Sequence, residues 1–526
     1  MAERKFDTHM VACEGGLNTQ LSALVLGRPE FNGVAAGLTN FEPADGYRRV
    51  EGFTQILSTS GFVGSGSVAG LEIYKEKILA ARRSADTTFR LYESTTSANV
   101  WTTITAADIT FAADAKVRFH EFNWAGDKVA FVDGTSNAKT WNNSAVVTLN
   151  GSGVLAAPSV VTSFKSRLVL SGDTTKPYIV SLSAANDETN WSGAAGSIDI
   201  NIGDKVTQVK RFRDELVIFC TNSIHKIVGD SSANFVAQPV TSDLGCLAPD
   251  SVIEIGGDLY FWGADGLRSF KVSDNNNDTN LSPITIPIRP SIRAMIDSED
   301  IRTVAGLNIR NKSQFRMFCS DATSTEAKVH GFLGTLNISS AANKPNASRG
   351  DTPAWEFALL RGINPSCATS GYIGGKEFVL HGGWDGVVYR QESGNKFGAA
   401  KIVAVYDTPF MDLTDPFVRK TLHRLMTYLK VQGATTIYMR LRFDFGDGNI
   451  VQSETQKLEL NSVDAIYDDS DTRYGTAKWG IVNLPFNLQN VRGSCKTVSI
   501  RILSIDDQQA FAIHGFALEY EKNGRH

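Results

Sequence analysis

The chain has 526 residues, 42% hydrophobic and 21% charged, with a formal net charge of −4. That apolar share excludes extended disorder and supplies a large core, and the mildly acidic balance excludes a nucleic-acid reader that coats itself in Lys and Arg. No run of about 18 apolar residues occurs, and the charged start Met1-Ala-Glu-Arg-Lys-Phe-Asp7 lacks the apolar stretch of a secretory signal, so no membrane-spanning segment or export signal is expected.

Residues 1–60 read as a Gly-rich arm: Glu14-Gly-Gly-Leu-Asn-Thr-Gln20, Leu38-Thr-Asn-Phe-Glu-Pro43 and Gly46-Tyr-Arg-Arg-Val-Glu-Gly-Phe53. The last of these has strand character, and a leading strand paired with the last blade of a ring would remove its edges. Seven stretches then repeat one pattern, an apolar run, a tight polar turn and a second apolar run: Leu71–Ala81, Phe122–Val132, Val161–Leu170, Val209–Phe219, Val252–Trp262, Leu307–Phe318 and Tyr372–Leu380. Their spacing of roughly 40 to 60 residues is that of propeller blades. The turns Ala125-Gly-Asp-Lys128, Ile255-Gly-Gly-Asp258 and Ile373-Gly-Gly-Lys376 place Gly where a hairpin needs positive φ, and Trp262–Phe270 and Gly382–Tyr389 are second hairpins of the same design. The polar inserts Ser273–Asn280 and Ser339–Thr352 read as exposed loops on blade faces.

Near residue 400 the pattern changes at a turn-rich junction, Asp407–Pro416. Tyr438, Arg440, Arg442 and Asp444 alternate with Met439, Leu441, Phe443 and Phe445, the period of a strand with one wet face. Phe417, Leu422, Leu425 and Leu429 have helical spacing, but the strand-and-turn flanks favour a strand over 417–430. With Thr497–Leu503 and Ala512–Tyr520, these runs predict a small β-sandwich. The expected architecture is therefore all-β: an N-terminal arm and ring-closing strand (1–60), a β-propeller of about seven blades, with six to eight allowed (61–400), and a β-sandwich-like domain (401–526).

Chemical motifs are sparse. Cys13, Cys220, Cys246, Cys319, Cys367 and Cys495 contain no CxxC pair, so free thiols and assembly in a reducing cytosol are expected, without zinc. The eight histidines form no HExxH motif, and His225, His381 and His423 read as strand or turn residues. The acidic runs Asp464–Asp471 and Asp274–Asp278 lack the spacing and terminal Glu of an EF-hand loop, and Asp444–Asn449 reads as a hairpin turn. A propeller hydrolase acting on sugars needs paired carboxylates and, in sialidase-like forms, Arg clamps. Arg82, Arg83, Arg211 and Arg213 are candidates for such clamps, but the Ser-x-Asp-x-Gly-x-Thr-Trp box is absent. Lys210-Arg-Phe-Arg213, next to Asp214 and Glu215, reads as blade surface. No phosphate-binding Gly loop and no GxSxG elbow occurs. No catalytic, cofactor-binding or metal residue is expected.

Gly15-Gly-Leu-Asn-Thr19, Leu38-Thr-Asn-Phe-Glu-Pro43 and Gly46–Phe53 resemble the opening of the nozzle, tail-hub or stabilisation proteins of short-tailed bacteriophages, and Ile513–Arg525 resembles their end. The resemblance covers both ends of the chain and transfers no catalytic role. It implies a homohexameric ring below the adaptor of a phage tail. Such a ring extends the DNA channel, retains the genome and lets it pass during ejection. The implied partners are the head-to-tail adaptor, tail fibres or a needle, and double-stranded DNA passing without sequence-specific contact. The implied location is the virion, after assembly in the bacterial cytoplasm. A host-receptor-binding fibre or spike and a carbohydrate-active propeller hydrolase are the alternatives.

Overall fold

The computed structural model describes residues 6–523 except 32, 106, 114, 125, 273–278, 299–303, 320–328, 337–354, 414 and 461–485. The inserts 273–278 and 339–352, the acidic run 464–471 and the last residues of the 513–525 segment thus lie outside the described residues.

The fold is all-β, made of small antiparallel sheets and one large continuous sheet. Each of the seven apolar–turn–apolar stretches is a hairpin. The first joins Val68–Tyr74 to Lys77–Ala85, the second Arg118–Phe122 to Lys128–Val132, and the third Val160–Phe164 to Arg167–Ser171. Next come Val206–Phe212 with Glu215–Cys220, Ile253–Ile255 with Asp258–Gly263, Ala305–Ile309 with Gln314–Phe318, and Pro365–Ile373 with Lys376–Gly383. Two glycine pairs show why the turns are tight. Gly256 and Gly257 have φ of 64° and 82°, and Gly374 and Gly375 have 57° and 73°, a conformation that costs a side chain strain and glycine none.

Every hairpin grows outward by antiparallel pairing. The third group, for example, adds Ile179–Leu182 and then Ile198–Asn201. The seventh adds Val388–Gln391, and its next strand comes from far upstream: Phe53–Gln55 pairs with Tyr389–Gln391. Successive groups share apolar clusters. Ala81, Phe89 and Val117 meet Phe131, Val132 and Leu149 meet Leu168, Val169 and Leu182 meet Ile218, and Phe219 meets Phe261. Val68 and Leu71 of the first group pack with Cys367 and Leu380 of the seventh. The first strand of one group touches that of the next along most of this series, and Pro365–Ile373 touches Val68–Tyr74.

The two chain ends build the rest. Asp7–Ala12 runs antiparallel to Gly515–Tyr520, and Gly46–Arg49 pairs both with Phe41–Ala44 and with Ala512 and Ile513. Phe511–Lys522 pairs in turn with Lys420–Val431, which pairs with Phe486–Cys495. A second set joins Ala400–Asp407, Val498–Asp506, Thr435–Phe443 and Gln456–Leu460. Leu425, Leu429, Phe516 and Leu518 of the first set share one core with Met439, Leu441, Ile500 and Ile502 of the second.

Three local outcomes differ from the sequence pattern. The helical spacing of Leu422, Leu425 and Leu429 sits on a strand, because a bulge at His423 shifts the buried phase between Leu422 and Leu425, after which Leu425, Thr427 and Leu429 alternate regularly. Phe417 is 75% exposed and belongs to the preceding turn. The 438–445 alternation stops at Phe443, because Asp444 and Phe445 turn into positive φ and leave Phe445 exposed. A helix that the pattern did not announce, Arg289–Ser298, presses Ile292 and Met295 into the core. Among the described residues no helix is long and apolar enough to cross a membrane.

Candidate functional site

The first strands of all seven groups converge on a cavity of about 690 Å³. Its wall carries five cations (Lys116, Arg118, Lys210, Arg211, Arg310) and three carboxylates (Glu72, Asp250, Glu254). Lys210 and Arg211 reach it from Val206–Phe212, Glu72 from Val68–Tyr74 and Arg118 from Arg118–Phe122, while Lys116 and Asp250 come from connecting segments.

One side of the cavity is internally neutralised. Arg118 grips Asp250 in a fork, Nε to Oδ1 at 2.6 Å and Nη2 to Oδ2 at 2.9 Å, with Lys116 Nζ 3.4 Å from the same carboxylate. Burial acts to raise the Asp250 carboxyl, but the charges and hydrogen bonds of Arg118 and Lys116 outweigh it and hold it well below the usual carboxylate range. Arg118 also donates to the Ser159 carbonyl at 2.9 Å. This pair ties the second group to the loop that enters the fifth.

The other side is not neutralised in this way. Lys210 and Arg211 are open to the cavity, and neither has a direct ion pair among the described residues. Burial lowers the Lys210 ammonium pKa despite the nearby charges of Glu72 and Asp250. Burial pushes the Glu72 carboxyl up to about 7, against the Ile73 N–H it accepts at 3.1 Å and the charge of Lys210, with Glu121 reinforcing the rise. His120, hydrogen-bonded to Ser163 at 2.8 Å, is pushed down to about 4 by burial and by the charges of Lys210 and Arg211. Ser370 donates to Asn308 Oδ1 at 2.7 Å, and Asn308 donates to the Glu254 carbonyl at 2.8 Å, which fixes two polar side chains at the rim.

The Lys210–Arg213 patch is therefore divided. Lys210 and Arg211 line the cavity, Phe212 is buried, and Arg213 sits in the hairpin turn at φ 53° with its guanidinium over the Phe212 ring. Its sequence signal, a short basic–aromatic run, did not reveal which members face inward. The other Arg candidates do not converge with it. Arg82 donates to the Phe62 carbonyl and lies over the Phe62 ring, and Arg83 donates to the Ala115 carbonyl and covers Phe111. His225 contacts Ser223, and His423 lies 3.5 Å from Glu521. His381 is buried between Phe53 and Tyr389 and pushed down to about 3 by burial. All six cysteines are buried and free. Among the described residues, no group of three or more His, Cys, Asp or Glu side chains is placed to hold a metal.

A second charged cluster is enclosed where the arm meets the sixth and seventh groups. Lys312 reaches Glu42 at 2.9 Å and also binds Glu392, while fully buried Arg316 binds Glu392, lies 3.6 Å from Glu42 and donates to Gln391 at 2.8 Å. The charges of Arg316 and Lys312 hold the Glu392 carboxyl low against its burial. The arm residues around Glu42 act as cross-links. Asn40 donates to the carbonyls of Arg361 and Val403 at 2.9 and 2.8 Å and accepts from Arg361 N–H at 2.9 Å. Tyr47 donates to the carbonyls of Glu14 and Gly33, each at 2.8 Å. Arg49 pairs with Asp506 at 2.7 Å. The arm motifs thus serve as fasteners.

No protein-family model matches the chain, and no curated protein matches it. A solved structure similar to part of it is a computationally designed protein, Ika8, at 11% identity and a TM-score of 0.32, covering 64% of this chain and 99% of that one. That likeness is too distant to carry an argument about fold or function.

Proposed function

We propose that this chain is a structural component of a short-tailed bacteriophage tail, the nozzle or hub that extends the DNA channel, retains the genome and lets it pass. The observation that carries this reading is the pairing of Asp7–Ala12 and Gly46–Arg49 with Phe511–Lys522. Of the segments that resemble the phage proteins, Gly46–Phe53 and Ile513–Arg525 thus adjoin in one sheet although they come from opposite ends of the chain.

The seven groups are read as blades of one propeller, with Phe53–Gln55 completing the seventh, and the two sets of end strands as a β-sandwich. Pairing of the seventh group with Phe53–Gln55, which precedes the first, fastens the two ends of the blade series. Rigid blades of this kind suit a conduit under pressure. The overall charge of −4 leaves little net attraction for the phosphate backbone, so passing DNA is not gripped. In this reading six copies close by heterologous contacts around the channel, below the adaptor and above fibres or a needle. The chain then has no catalytic role.

Immunogold labelling of intact virions with an antibody to this chain tests the proposal, together with quantitative mass spectrometry of the particle. Label on the distal tail tube at six copies per particle is the expected result. Label on peripheral fibres at multiples of three assigns the chain to receptor binding instead. Absence from the particle overturns the virion reading and favours the hydrolase alternative, for which Glu72 in the central cavity would be the first carboxyl to replace.

A further inference from the structure

We propose that the central cavity binds a sugar carrying one oxyanion group, the chemistry of a hexose phosphate or a uronate. The argument starts from unequal compensation around the wall. Asp250 already answers Arg118 and Lys116, whereas Lys210 and Arg211 both line the cavity without an ion pair among the described residues. Two cations facing one cavity are a receptor for phosphate or carboxylate.

A bare anion does not fit the whole wall. Glu72 and Glu254 share the cavity and repel it unless the ligand also brings hydrogen-bond donors to those carboxylates. Among described residues Glu72 accepts only from the Ile73 backbone, which leaves its remaining lone pairs for hydroxyls. Asn308 and Ser370, fixed by their mutual hydrogen bond, offer further polar contacts at the rim. Sugar hydroxyls supply what these groups need. A nucleotide is disfavoured: Phe119 is the single aromatic residue on the wall, and its ring is already tilted against Phe131 at 6.3 Å, so a base finds no free face to stack on. The volume of about 690 Å³ lies within the size range of small-ligand sites. This assignment stands on the cavity alone and is independent of the tail reading.

Titration calorimetry of the full chain at neutral pH with glucose 6-phosphate, glucuronate, glucose and inorganic phosphate provides the test. At least one of the two charged sugars is expected to bind ten times or more tightly than either glucose or phosphate, and the one that binds identifies the oxyanion. K210M and R211M are each expected to weaken that binding tenfold or more with an unchanged melting temperature. Both side chains are exposed, and the second variant carries the test if the first does not fold. No heat with either charged sugar overturns the proposal. So does phosphate binding as well as the sugar phosphate, or binding that the folded variants leave unchanged.

Discussion

The seven hairpin groups and the end sheets are both mainly antiparallel, but they are joined over very different distances along the chain. Within the third group each strand pairs with its chain neighbour, as Val160–Phe164 does with Arg167–Ser171. In the end sheets Asp7 lies opposite Tyr520, and Gly37–Thr39 lies between the strands Trp355–Arg361 and Ala400–Asp407. Local pairings close small loops at low entropic cost, whereas the pairing of Asp7 with Tyr520 closes a loop of nearly the whole chain at a higher one. The difference teaches where the molecule is fastened. Hydrogen bonds run without interruption from the sixth group through Gly37–Thr39, and from the seventh through Phe53–Gln55 and Lys396–Phe397, into Ala400–Asp407 and the end strands. The Arg316–Glu392–Lys312–Glu42 cluster lies at the same junction.

If that junction unites the two regions, breaking it should have the largest effect. Arg316→Ala removes the central cation and leaves Glu42 and Glu392 buried with less compensation, at an expected cost of about 3–5 kcal/mol in urea unfolding. A loss well below 1 kcal/mol would mean that the cluster does not fasten the regions.

Core truncations sharpen the comparison. Leu216→Ala in the fourth group and Leu425→Ala in the end sheets, both at 0% exposure, are each expected to cost about 2–5 kcal/mol. Because successive groups share apolar clusters and the sixth and seventh groups share one core with the end strands, both substitutions should move one shared calorimetric transition. Two transitions, each moved by one substitution only, would show that the regions unfold separately.

Glycines in the two regions answer differently to the same change. Gly46 has φ 79°, and a Cβ there would lie 2.2 Å from the Ile513 carbonyl oxygen, so Gly46→Ala combines backbone strain with a clash between the chain ends. Its expected cost is about 1–3 kcal/mol. Gly374 at φ 57° has nothing within 4 Å, so Gly374→Ala meets only the backbone penalty of about 1 kcal/mol. Chemical denaturation of the two variants side by side measures the difference, and equal losses would remove the clash from the account.

Acid sensitivity separates the regions more gently. His381 and His120, both in the blade-like groups, are lowered from 6.5 to about 3 and about 4. Below pH 6.5 the unfolded chain binds protons that these folded imidazoles refuse, so their contribution to stability is lost as pH falls. Glu72, raised from 4.5 to about 7, works in the opposite direction, because the folded chain holds a proton that the unfolded one releases as pH rises through that window. His225, also lowered by burial, acts with these two histidines, so together they outweigh the one carboxyl and stability falls on acidification from 6.5 towards 4.5. Urea midpoints across this range should fall as pH falls in the wild type and fall less steeply in H381Q. An unchanged slope in H381Q would show that this imidazole is not held neutral by burial.

The sequence by itself determined the all-β class and the seven hairpins. Apolar runs such as Leu216–Cys220, broken by Gly-Gly or polar turns, encode strands through contacts a few residues apart. It also placed a strand over most of 417–430, although not the bulge at His423 that turns both Leu422 and Leu425 inward. Only the tertiary structure decided that Glu42, Asn40 and Tyr47 are buried fasteners, that Gly46–Arg49 joins the end sheet while Phe53–Gln55 joins the seventh group, and that Lys210 and Arg211 face the same cavity as Glu72. Each of these depends on partners far away in the chain, such as Arg316 for Glu42 or Ile513 for Tyr47. A local pattern fixes which face of a strand is apolar. What that face, or a charge at its edge, will meet is set by how the sheets close on one another.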